Sequence, residues 1–269
     1  MFNEIISYEF IQRAFAGGLL VSLCAALLGV SLVLKRYSMI GDGLSHVSFG
    51  ALSIAIALGV TPIKFSIPVV IAAAFFLLRM AENGKMRSDA AIAMISASAL
   101  AIGVIITSLT TGLNTDVNSY MFGSILAMSK EDVLMSIILS IVVLIMFIFC
   151  YHRIFAVTFD ESFLKAAGVK VNLYKTLIAV FTAVTVVLGI KMMGAMLISS
   201  LIIFPALTAM KLFKSFISVT VCSAILAVIN FTIGLLASYA FSIPAGASVV
   251  VANLVIFILF SIVAMVRKR

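Results

Sequence analysis

Apolar runs of about 20 residues recur along the whole chain, each closed by a short polar or basic stretch. They lie at roughly 10–34, 40–60, 65–80, 89–111, 132–151, 173–190, 194–210, 215–240 and 245–266. At about 1.5 Å per residue, such a run as a helix crosses the ~30 Å hydrocarbon layer of a bilayer. The short alternating period of a membrane β-strand is absent, so the pattern predicts an all-α fold. That fold is a polytopic membrane helix bundle of about nine transmembrane helices, with residues 1–269 forming a single transmembrane domain. Runs 173–190 and 194–210 are divided only around Lys191 and Gly194. Merging them would send the basic C-terminal tail to the outer side, so they are read as two helices.

Composition removes the soluble alternatives. The chain is 64% hydrophobic and 10% charged, with a mean hydropathy of +1.31, whereas a soluble domain is roughly half apolar and about a quarter charged. No polar stretch is long enough for a soluble domain, and no Walker-type glycine loop occurs, so no nucleotide-binding domain is expected. The first run begins near Phe10 after an uncharged-to-acidic start, unlike the basic start of a cleavable signal peptide.

The net charge of +8 does not point to nucleic acid, because the bases sit at helix ends. With the N-terminus outside, only Arg13, Lys64, Lys130 and Lys191 of the 18 basic residues fall on the outer side. That bias predicts an N-out, C-in chain with an odd number of spans. Cys24, Cys150 and Cys222 are isolated in or beside apolar runs and read as small core residues. The small residues of the first and fourth runs read as ordinary close helix packing. Gly17–Ser22 and Gly194–Ser199 resemble each other, a hint of a parallel internal repeat.

The candidate chemistry lies in residues 35–50. Lys35 and Arg36 end one run; Gly41, Asp42 and Gly43 open the next, and His46 follows Asp42 by four residues. On a helix this spacing puts carboxylate and imidazole on one face, with His46 roughly 6 Å deeper. Ionisable groups inside a hydrophobic segment are costly and mark a path for ions or substrate. An Asp with a His suits Zn²⁺, or Mn²⁺ and Fe²⁺ where further oxygen ligands join. Capping of the second helix explains Asp42 equally well, but it does not explain His46. Asp89, after Ser88 at the head of the fourth run, reads first as an N-cap and second as a path residue. Met192, Met193 and Met196 read as core filler.

Two longer connections stand out. The outer one, 112–131, contains Tyr120–Leu126, apolar but too short to span, and so predicts a short interfacial or re-entrant helix. The inner one, 153–172, predicts a short helix. Asp160 caps it, Glu161 stands in its first turn, Lys165 in its last, and Gly168 follows it. Phe159, Phe163 and Ala167 recur every four residues on one face, suited either to a groove on a partner or to the chain's own membrane domain.

These landmarks, in order, resemble one family. They are Leu32-Val33-Leu34-Lys35-Arg36 through Ile40-Gly41-Asp42-Gly43-Leu44-Ser45-His46, Tyr120-Met121-Phe122-Gly123 with Glu131-Asp132, Phe159-Asp160-Glu161 to Gly168, and Gly194–Ser199 to Pro205-Ala206. Over nearly its full length the chain resembles the membrane subunit of bacterial ABC transporters for zinc, manganese or iron, and looks closest to the zinc-uptake permeases. The resemblance implies a homodimer of permeases in the cytoplasmic membrane, two cytosolic ATPase subunits and an extracytoplasmic metal-binding protein. The cargo would be Zn²⁺, alternatively Mn²⁺ or Fe²⁺, with no permanently bound cofactor and no enzymatic activity on this chain. Asp42 and His46 match the family's path residues. Phe159, Asp160, Glu161, Phe163, Ala167 and Gly168 match its coupling helix. Ala93, where many relatives carry Gly, and Ser96 or Ser98, where some carry His, depart from the pattern and put a ligand from the fourth helix in doubt.

Two other classes compete. An intramembrane enzyme needs a nucleophile and base, or paired carboxylates, in register, yet the chain holds only two histidines. A secondary carrier needs further buried charges for coupling, and of ten acidic residues only Asp42 and Asp89 adjoin helix interiors.

Overall fold

The computed structural model describes residues 9–82, 88–110 and 130–267. Ten helices follow in order: α1 Glu9–Leu34, α2 Ser38–Ala57, α3 Pro62–Glu82, α4 Ser88–Leu109, α5 Lys130–Phe159, α6 Glu161–Ala166, α7 Val171–Met193, α8 Ala195–Leu212, α9 Phe216–Phe241 and α10 Ala245–Arg267. Among the described residues, nine of these are long and apolar enough to cross a membrane, all but α6. The protein is a multi-pass membrane protein. The outer 112–129 segment, with the helix expected at Tyr120–Leu126, lies outside the described residues.

The break between α7 and α8 rests on one residue. Gly194 has φ +86°, a region that a side chain disfavours, and its N–H closes the end of α7 on the Ile190 carbonyl at 2.9 Å. The expected division at Gly194 is therefore present. Helix α5 is longer than its apolar run, reaching Phe159 instead of about 151. Nothing in 152–159 breaks a helix, so the backbone continues past the hydrophobic limit. His152 consequently stands within α5.

Helices α1, α2 and α7 are the most deeply buried, and α4 and α10 the most open. Around this centre α3 and α4 flank α2, α9 and α10 flank α8, and α5 closes against α1 and α7. Met192 and Met193 are buried in the core, as filler should be, whereas Met196 is half exposed. All three cysteines are free.

The ends of the helices sort as the charge pattern requires. Lys35, Glu161 and Lys175 meet at one end of the bundle. At the other end Lys191 Nζ on α7 pairs with Asp132 Oδ2 on α5 at 2.6 Å.

Candidate functional site

Helix α2 starts at Ser38, one turn before Asp42, and its N-cap residue Tyr37 makes no side-chain capping bond. The capping explanation of Asp42 is thereby removed: the carboxylate sits inside the helix. The neighbouring glycines open space instead. A Cβ on Gly41 would meet Ile202 Cδ1 of α8 at 2.7 Å, and one on Gly43 would meet Ile92 Cγ2 of α4 at 2.7 Å. Glycine inside a helix costs about 0.5–1 kcal/mol against alanine. Here that cost permits α8 and α4 to approach α2 on either side of Asp42.

Most of α2 is buried, yet one stripe is not. Met39 is exposed and Asp42 and His46 are partly exposed, at spacings of three and four residues. The Asp42 side chain is 38% exposed and that of His46 22%. His46 Nε2 stands 3.8 Å from Asp42 Oδ2, too long for a hydrogen bond. Nδ1 of His46 is buried and has no hydrogen-bond partner. The imidazole is therefore not a satisfied core histidine.

A third residue joins from α8. Ser199 Oγ donates to Asp42 Oδ1 at 3.1 Å, while Ser45 Oγ turns back to the Asp42 carbonyl at 2.7 Å. Sequence reasoning quoted Ser199 as part of a landmark and gave it no role. Its signal was there: a serine closing the Gly194–Ser199 motif, whose counterpart Ser22 bonds only to the Leu19 carbonyl of its own helix.

Two donors bound at about 2.0–2.1 Å to one tetrahedral ion lie roughly 3.3–3.5 Å apart. The 3.8 Å between Asp42 and His46 is a few tenths of an ångström from that, within reach of a side-chain torsion. Among the described residues no three of His, Cys, Asp and Glu converge. Asp89 stands in the first turn of α4, and its side chain lies outside the described residues. Ser96 and Ser98 both belong to α4.

The short helix at the other end matches its expected form closely. Asp160 caps α6, its Oδ1 accepting from the Phe163 N–H at 2.8 Å. Gly168 takes φ +76°, and the Gly168 and Val169 N–H groups close on the carbonyls of Lys165 and Leu164. Leu164 turns inward against Val157 and Val171, leaving Phe163 68% exposed. Ala167 is exposed as well, and Phe159 is only partly engaged, against Phe155 and Phe216. Glu161 turns back toward the bundle, its Oε1 accepting from Lys35 Nζ and its Oε2 from Lys175 Nζ at 2.9 Å. Partial burial is the largest single influence on its carboxyl and opposes ionisation. The two lysine hydrogen bonds and charges together outweigh it, so Glu161 titrates below the ordinary glutamate range.

A family model described as the ABC 3 transport family matches residues 7–264. The chain belongs to this family. Among its relatives, the manganese import system permease protein ScaB of Streptococcus gordonii is 28% identical over 257 residues, 96% of this chain and 92% of that protein. The high-affinity zinc uptake system membrane protein ZnuB of Haemophilus influenzae is 27% identical over 252 residues, 94% of this chain and 97% of that protein. A solved structure described as PsaBC from Streptococcus pneumoniae in complex with Fab superposes with a TM-score of 0.86 at 27% identity, covering 97% of this chain and 95% of the other. This ABC 3 chain thus shares both sequence and fold with transport permeases along almost its whole length.

Proposed function

We propose that this chain is the permease of an ATP-driven importer that carries a divalent transition metal, Zn²⁺ foremost, past Asp42 and His46. The observation that carries the reading is the partly exposed Asp42–His46 pair on a mostly buried helix, with the unsatisfied His46 Nδ1 beside it. Family membership and relatives named for metal transport support the same class. Two copies facing each other across a twofold axis would bring two carboxylates and two imidazoles to one ion. A homodimer is the assembly this reading requires. ATP hydrolysis belongs to cytosolic partners docked on the exposed face of α6, and an extracytoplasmic binding protein delivers the ion. Binding there stays weak enough for release, as conduction demands.

Manganese is the second reading. Ser199 adds an oxygen beside Asp42, and oxygen-rich sets suit Mn²⁺. The manganese relative is also as similar as the zinc relative.

The test is uptake of radiolabelled zinc and manganese by the permease reconstituted in vesicles with its ATPase. Asp42→Asn and His46→Ala each abolish uptake while assembly and basal ATP hydrolysis persist. His46→Gln keeps hydrogen bonding but loses the imidazole ligand, and it fails as well. Near-normal zinc uptake by His46→Gln would overturn the ligand assignment.

A further inference from the structure

Helix α6 has only six residues and cannot hold its own position in water. Three things hold it: the Asp160 cap, the Leu164 contact with Val157 and Val171, and the Glu161 carboxylate. The last of these reaches furthest. Glu161 accepts from Lys35, which follows the last residue of α1, and from Lys175 in the second turn of α7. The two lysine side chains are 9% and 11% exposed, so their ammonium groups have little water to replace a lost carboxylate.

What lies beyond Lys35 makes this contact more than an anchor. The α1–α2 connection is a closed turn. Arg36 takes φ +60°, its N–H bonds the Val33 carbonyl at 3.0 Å, and the Tyr37 N–H bonds the Leu32 carbonyl at 2.8 Å. This Schellman arrangement leaves no slack between α1 and α2. Helix α2 begins at the next residue and runs without interruption through Asp42 to His46. Displacement of Glu161 therefore pulls on a rigid turn, and that turn pulls on the helix bearing the candidate ligands. A cavity of about 20 Å³, lined by Lys35, Tyr37, Ile40, Lys175 and Thr182 among others, lies beside the lysines.

We infer that the Lys35–Glu161–Lys175 triad is the link through which α6 moves α2, and that Glu161 is a positioning residue for transport rather than a contact for the ATPase. The inference rests on the importer reading above. The depressed titration of Glu161 agrees with it, because the carboxylate stays charged at neutral pH.

The test uses the permease with the ATPase that co-purifies with it, and reads two quantities. One is the ATP-dependent change in labelling rate at Met39→Cys, a half-exposed position in the first turn of α2, in a background lacking Cys24, Cys150 and Cys222. The other is zinc and manganese moved per ATP hydrolysed. Glu161→Gln retains the ATPase and hydrolyses ATP, but loses the labelling change and about tenfold or more of the metal moved per ATP, within the range of a coupling between sites. The triple exchange Glu161→Lys with Lys35→Glu and Lys175→Glu places one ammonium group between two carboxylates and recovers both readouts. The link is overturned if Glu161→Gln couples like the wild type, if it sheds the ATPase, or if the triple exchange recovers nothing. A wild-type labelling change that Glu161→Gln abolishes, in a protein that moves neither metal, keeps the link and overturns the metal cargo instead. A wild-type chain with neither an ATPase partner nor uptake overturns the importer reading and the link with it.

Discussion

Ser199 Oγ on α8 donates to Oδ1 of Asp42 on α2 across 3.1 Å, joining residues 157 positions apart. The bond fixes one carboxylate oxygen and leaves Oδ2 turned toward His46. A charge placed in a membrane helix needs such a partner, and here the partner occupies only half of the acceptor. The other oxygen remains available to an ion.

Removing that bond should weaken, not abolish, ion capture. Hydrogen bonds to charged groups contribute about 1.5–3 kcal/mol when buried, and less at a half-exposed carboxylate. Ser199→Ala should therefore raise the half-saturating metal concentration about three- to tenfold, with maximal uptake and expression retained, and Ser199→Thr should sit between the two. Initial uptake rates over a metal titration measure it. An unchanged half-saturation in Ser199→Ala would show that the serine does not hold the ligand.

The faces of α6 make separable predictions. Phe163 is largely exposed, whereas Leu164 is buried against Val157 and Val171. Phe163→Ala should leave thermal stability within about 0.5 kcal/mol of the wild type, as exposed substitutions do, yet release the ATPase on co-purification. Gly168→Val meets no neighbouring atom, since nothing lies within 4 Å of the added Cβ. It must still force a β-branched residue to φ +76°, a strain of about 1–2 kcal/mol that unwinds the C-terminal turn. Co-purification retained by both variants would count against α6 as the docking helix.

How much of this was legible beforehand follows the range of each interaction. Runs of apolar residues report a helix directly, so the nine spans and the Gly194 division were readable. So was α6, whose Asp160 cap and Gly168 end lie within one short segment. The end of α5 was not, because hydropathy marks where the bilayer stops and not where the helix does. Nor was the start of α2: it carries no capping side chain, and Gly41 and Asp42 mimic a start one turn too late. The partners of Asp42 and Glu161 come from helices far away in sequence, and no local pattern names them. The inward turn of the Glu161 carboxylate was hidden for the same reason.

Sidedness offers the last test, because it joins two independent arguments. Contacts decide which helix ends share a side: Glu161 meets Lys35 and Lys175 at one end, and Asp132 meets Lys191 at the other. Charge decides which side faces the cytosol, since most basic residues gather at the Lys35 end and translocation of such loops is disfavoured. Ser162 in α6 and Val60 between α2 and α3 are both exposed and lie at opposite ends. In a cysteine-free background, an impermeant thiol reagent should therefore label Val60→Cys in intact cells, and Ser162→Cys only after permeabilisation. The spacing argument holds in either orientation, but the coupling reading does not. Labelling of Ser162→Cys from outside would place α6 away from ATP and remove the path from an ATPase to Asp42 and His46.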